Sequence, residues 1–140
     1  MARVEAAREL LAPRKDVWAF VAEPYHLADW WPGVAGVQPD RRGFAPGARW
    51  EVRGADRPTL FRAPSSTGML IVLEVEAPSR WRFQLTGDRL EAELRLDALT
   101  AERTLATLSV EGPLLVGLRR SFARKALGRL YALCQTGAGP

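Results

Sequence analysis

The stretch that decides the fold runs from Gly112 to Gln135, GPLLVGLRRSFARKALGRLYALCQ. Gly112-Pro113 marks a helix start, because proline is tolerated in the first turn, where its missing N–H is not needed. Leu115, Leu118, Phe122, Ala126, Leu130 and Leu133 then recur at steps of three and four, the period of one helix face. A helix of this length runs roughly 34 Å, enough to cross six or seven strands spaced about 4.8 Å apart. The spacing predicts a long C-terminal helix with the preceding chain wrapped around it as a sheet. Arg119 interrupts the apolar face, with Leu115, Val116, Phe122 and Ala123 as its helical neighbours. A guanidinium stays ionised and is rarely buried without a partner. Either a wet or ligand-filled hollow receives Arg119, or a carboxylate meets it, or its stem packs on the core with the head in water.

Working outward, the 140 residues are 47% hydrophobic and bear a net charge of +4. That size and composition suit one globular domain over residues 1–140. No apolar run reaches the roughly 18 residues of a membrane span. The opening MARVEAAREL carries charges where a secretion signal needs an apolar stretch, so a cytoplasmic location is expected. Cys134 is the single cysteine and falls on the apolar side of the helix, which predicts a reduced, inert thiol. The charge comes from 18 arginines and two lysines, and no acid follows Glu111. These cations spread around the polar side of the helix, without the aromatic-basic interleaving or motif of a nucleic-acid reader. Specific nucleic-acid binding is not expected; weak attraction to an anionic membrane surface or an acidic partner stays open. The oligomeric state is not legible.

In chain order, residues 3–11 read as a weak first strand near a sheet edge. Pro13 opens a helix with Asp16 in its first turn, ended by Glu23-Pro24. A second short helix is predicted from Tyr25 to Trp31, ended by Pro32-Gly33. On such a helix consecutive Trp30 and Trp31 cannot face one way, so one is expected in the core and one at a cavity mouth. Short strands follow. Val34–Gln38 is one; Arg49–Arg53 alternates, turning Trp50 and Val52 inward. Residues 54–67 read as a loop in which Leu60 and Phe61 stand out, either as a flap or as fixed packing. In Gly68–Glu76 the acids Glu74 and Glu76 set the phase, placing Met69, Ile71, Leu73 and Val75 inward and leaving Leu70 and Val72 outside. Trp81, Phe83 and Leu85 alternate with polar residues, as do Leu90, Ala92, Leu94 and Leu96. Leu105–Glu111 is the last strand. Strand, two helices, about six antiparallel strands and one long helix make an α+β arrangement, with helices on one face of a curved sheet of about seven strands.

The pattern APRKDVWAFVAEPYHLADWWPGV, Ala12 to Val34, resembles the opening of START-like proteins of the polyketide cyclase/dehydrase and lipid-transport superfamily, the SRPBCC group. TLATLSVEGPLLVGLRR, Thr104 to Arg120, resembles their last strand and the entry to their last helix. The resemblance covers nearly the whole chain. It implies a helix-grip fold with a cavity for a hydrophobic small molecule, used by lipid and sterol carriers, aromatic polyketide cyclases and proteins that act on other proteins. Fold does not choose among these.

The candidate ligand-binding set is Trp31, Trp50, Val52, Ile71, Val75, Trp81, Phe83, Ala92, Leu94, Arg119 and Phe122. No catalytic residue is assigned. One cysteine and one histidine leave no zinc site of the usual kind. No cofactor is called for: a phosphate-cradling glycine loop and a nucleophile elbow are both missing. His26 reads as a surface histidine or a general base. If the chain is a cyclase, Arg119 is the foremost polar candidate, with Tyr131, Thr107 and Ser109 behind it. Binding of a hydrophobic ligand is the favoured function; a cyclase/aromatase activity and a protein-interaction role with a vestigial cavity are the alternatives.

Overall fold

The computed structural model describes residues 2–54, 68–113 and 120–137, the last three by backbone. The predicted helix entry with Leu115, Val116, Leu118 and Arg119, and the loop residues Leu60 and Phe61, lie outside them.

Seven strands form one antiparallel sheet: β1 (Ala2–Leu10), β2 (Val34–Pro39), β3 (Arg49–Gly54), β4 (Gly68–Glu76), β5 (Arg80–Leu85), β6 (Leu90–Thr100) and β7 (Arg103–Gly112). Their spatial order is β1-β7-β6-β5-β4-β3-β2. Strands β2 to β7 follow one another as neighbours, while β1 pairs with β7 from Ala2 opposite Gly112 to Leu10 opposite Thr104. Both edges are thus reached early in the chain. The segment between β1 and β2 travels from one edge to the other, and it does so as α1 (Arg14–Val21), a 3-10 turn (Pro24–His26) and α2 (Leu27–Trp30). Helix α3 (Arg120–Gly137) packs on β1 and β7 and meets α1 and α2.

The alternation in sequence becomes two chemically different faces. The concave face carries Trp50, Val52, Leu70, Val72, Trp81, Phe83, Leu85, Leu90, Ala92, Leu94, Leu96, Ala106, Leu108 and Val110, all buried in one core. From α3 come Ala123, Ala126, Leu127, Leu130 and Cys134, the face that the periodicity predicts. Gly112 closes β7 rather than opening the helix.

Strand β4 departs from the sequence phase. Leu70 and Val72 are buried opposite Leu85 and Phe83, whereas Ile71 faces the other way, opposite Gln84. The acids are outward as expected, Glu74 opposite Arg82 and Glu76 opposite Arg80, and Val75 is inward opposite Trp81. Between the inward Val72 and the outward Glu74 the register shifts. An extra residue at a β-bulge reverses the alternation, so counting back from Glu74 inverts everything before it. Leu70 and Val72 are therefore core residues and form no exposed patch. Glycine is required where β4 begins: Gly68 has φ +138°, and a Cβ there would press on the Gly87 backbone.

Candidate functional site

Rings pack one against the next across the concave side. Trp81 stacks on Phe83 with centroids 4.1 Å apart, and lies 5.7 Å from Trp50. Trp31 meets Phe83 edge-on at 5.3 Å and meets Phe122 of α3 edge-on at the same distance. One indole therefore bridges the sheet to the helix. Offset and edge-on pairs of this kind each add about 0.5–1.5 kcal/mol beyond the area they bury.

The local backbone explains Trp31. Helix α2 stops at Trp30, and Trp31 is extended, with φ −86° and ψ 118°. Consecutive residues in different conformations escape the 100° rule, and Trp30 and Trp31 are both fully buried, in edge contact at 5.6 Å. The expected split into one core ring and one ring at a cavity mouth is thereby corrected. His26 is likewise placed: its ring stacks on Phe20 at 4.1 Å, and its Nδ1 lies 2.7 Å from the Phe20 carbonyl oxygen. It serves to fasten the turn between α1 and α2.

Sequence reasoning passed over Phe44. It sits in what reads as a polar turn, yet its ring lies 4.7 Å from Trp81, 6.1 Å from Trp50 and 5.6 Å from Trp18 of α1. The turn is folded inward by specific bonds. Asp40 accepts from the amides of Arg42 and Arg49, each at 3.0 Å. These amides, that of Arg49 foremost, hold its carboxyl below the usual carboxylate range. The Trp50 indole N–H donates to the Gly43 carbonyl. The only sequence signal was an aromatic residue between turn formers.

Of the predicted set, the structure brings Trp31, Trp50, Val52, Val75, Trp81, Phe83, Ala92, Leu94 and Phe122 to one interior. Ile71 is excluded by the bulge, and Arg119 is not among the described residues. Two of the weaker polar candidates face elsewhere. Thr107 lies opposite Arg95 on the convex side, and the Ser109 hydroxyl donates to Glu5 at 2.7 Å. That bond, assisted by Arg3, lowers the Glu5 pKa. Tyr131 is covered by Arg8, whose guanidinium carbon stands 4.2 Å from the ring centroid.

Polar chemistry on the concave side is sparse. Buried Thr104 donates to the Ala12 carbonyl at 2.8 Å. The indole N–H groups of Trp30 and Trp81 are buried and reach no acceptor among the described residues. The Cys134 thiol is pushed up to about 11 by burial, with Asp16 adding to the effect, and so stays protonated. Charge is instead collected on the convex face. Arg80 meets Glu74 at 2.7 Å and Glu93 at 3.0 Å; Arg82 meets Glu74 and Glu91, both at 2.9 Å. A shallow groove lined by Arg3, Arg82, Glu91, Glu93, Ser109 and Glu111 belongs to this outer ladder. Among the described residues no group of three or more His, Cys, Asp or Glu is arranged to hold a metal. None of the described helices is long and apolar enough to cross a membrane.

Comparison with solved structures shows the same fold at low identity. A protein of Nitrosospira multiformis superposes with a TM-score of 0.70 at 15% identity, covering 94% of each chain. DynU16, from the dynemicin biosynthetic locus, gives 0.67 at 22% identity over 98% of this chain and 48% of its own. A Thalictrum norcoclaurine synthase variant in complex with a transition-state analogue gives 0.68 at 10% identity, over 99% of this chain and 96% of its own. No curated protein matches the chain. With this fold, and with a family model described as polyketide cyclase / dehydrase and lipid transport matching residues 1–134, the chain belongs to that family.

Proposed function

We propose that this protein binds a small hydrophobic molecule, such as a lipid, a polyketide or an aromatic compound, between the concave sheet face and α3, and leaves it chemically unchanged. The observation that carries the reading is the separation of chemistry between the two sheet faces. The described strands turn their carboxylates outward, and the only charged side chain on their concave side is Arg8, at the edge. Aromatic and aliphatic surface supplies burial energy of about 25 cal/mol per Å². A ligand burying about 300 Å² would gain up to roughly 7 kcal/mol before association and ordering costs. Catalysis asks for more, namely groups that stabilise the transition state above the ground state. Membership of a family that includes lipid transport supports a carrier. The synthase of the same fold keeps a cyclase/aromatase reading as the outcome that would replace it.

One observation favours a second reading, a protein-interaction role. Trp31 touches both Phe83 and Phe122, filling the space between sheet and helix at that level. Titration of tryptophan fluorescence with acyl and aromatic polyketide analogues, followed by product analysis, separates the readings. Saturable quenching through Trp31, Trp50 or Trp81 with unchanged ligand is the expected result. Turnover that disappears in Arg119→Ala would establish an enzyme. No binding across the panel would move the assignment to a protein partner.

A further inference from the structure

Resting on the binding reading, we propose that the Trp81 indole N–H is a ligand-recognition donor, and that the ligand is a neutral ring compound presenting a carbonyl or ether oxygen to it. Trp81 is in the central strand of the sheet, opposite Val75 and Leu94 in the ladder, and its ring is on the concave face between Phe44, Trp50 and Phe83. Its residue is fully buried, and its Nε1 has no hydrogen-bond partner among the described residues. The great majority of buried polar atoms are satisfied, because a donor stripped of water and left unpaired is costly. The same cluster shows that the fold can satisfy an indole when it needs to: Trp50, the neighbouring ring, donates to the Gly43 carbonyl. Phenylalanine at position 81 would supply the stacking without the unpaired donor.

The chemistry of the donor selects its complement. An indole N–H donates and cannot accept, so a plain hydrocarbon gains nothing, and a hydroxyl, whose oxygen can accept, brings with it an O–H that the indole cannot satisfy. A carboxylate would bring a charge into apolar surroundings, which the indole does not neutralise. A ring ketone or aryl ether supplies the acceptor and stacks against the neighbouring rings. Trp30 carries a second N–H without a partner among the described residues, but it ends helix α2 rather than lying on the sheet. It therefore provides the natural contrast.

Two probes of nearly equal shape isolate the donor, 2-acetylnaphthalene with a carbonyl and 2-ethylnaphthalene without. The five tryptophans give up to five indole signals in a nitrogen-proton correlation spectrum, assigned by single Trp→Phe variants. The expected result is a downfield shift of the Trp81 N–H with the ketone and not with the hydrocarbon, and a ketone affinity about 3- to 10-fold higher, the usual worth of one neutral hydrogen bond. Trp81→Phe should abolish that preference, so that ketone and hydrocarbon bind the variant with equal affinity whatever the common loss of ring contact. If the variant does not fold, the native-chain spectrum decides alone. Equal affinities with no Trp81 shift, or a shift confined to Trp30, would overturn the donor assignment and leave the binding reading standing. Binding of neither probe would overturn both.

Discussion

The two faces of the sheet use opposite means of satisfying their side chains. On the convex face, charged groups are numerous and several share partners. Arg80 alone meets Glu74, Glu76 and Glu93, and Arg82 meets Glu74 and Glu91. On the concave face, polar groups are few, and among the described residues Thr104 is tied to Ala12, Trp50 to Gly43, and the Trp81 indole N–H to none. Water explains the contrast. It screens and replaces the outer pairs, so losing one costs little. It is excluded from the interior, where packing gaps and unpaired donors keep their full cost.

The comparison is tested hardest at Trp31. Trp31→Ala removes the ring between Phe83 and Phe122 and should destabilise the protein by about 3–5 kcal/mol, read from urea unfolding. A loss below 1 kcal/mol would mean that the sheet and α3 do not depend on this bridge. Phe44→Ala comes next. Its ring is only part-buried but joins α1 to the sheet, and about 2 kcal/mol is expected, toward the low end for a large-to-small change.

Cys134 gives a pH-dependent test of the inner side. A thiol raised in the folded state contributes its full stability below the unfolded pKa, near 9, and loses it as pH rises toward the folded value of about 11. Parent and Cys134→Ala should therefore differ by a constant amount up to pH 8 or so, and their difference should shrink by about 1–2 kcal/mol toward pH 11. A pH-independent difference would show the thiol titrating as it does in the unfolded chain. The smallest effect belongs outside. Glu91→Gln weakens one arm of the Arg82 ladder and should cost less than about 1 kcal/mol, with even that reduced in high salt. An outer effect as large as that of Trp31→Ala would erase the distinction between the faces.

What the sequence determined by itself was periodic. Alternation identified β3, β5 and β6 and the inward Trp50, Trp81, Phe83, Ala92 and Leu94, because a strand has only two faces and water sorts residues between them. Steps of three and four likewise identified the buried face of α3. What only the tertiary structure decided lies where the period breaks or the partner is distant. The bulge in β4 turned Ile71 out and Leu70 in, and no residue type announces a bulge. The end of α2 freed Trp31 to bridge sheet and helix, and Asp40 folded Phe44 inward through bonds to the backbone. Which indole finds an acceptor is likewise a matter of geometry. The Trp50 N–H meets Gly43 and that of Trp81 meets no acceptor among the described residues, although the chain writes both as the same residue. A hydrogen bond depends on distance and direction between groups far apart in sequence, and those exist only once the chain has closed around its core.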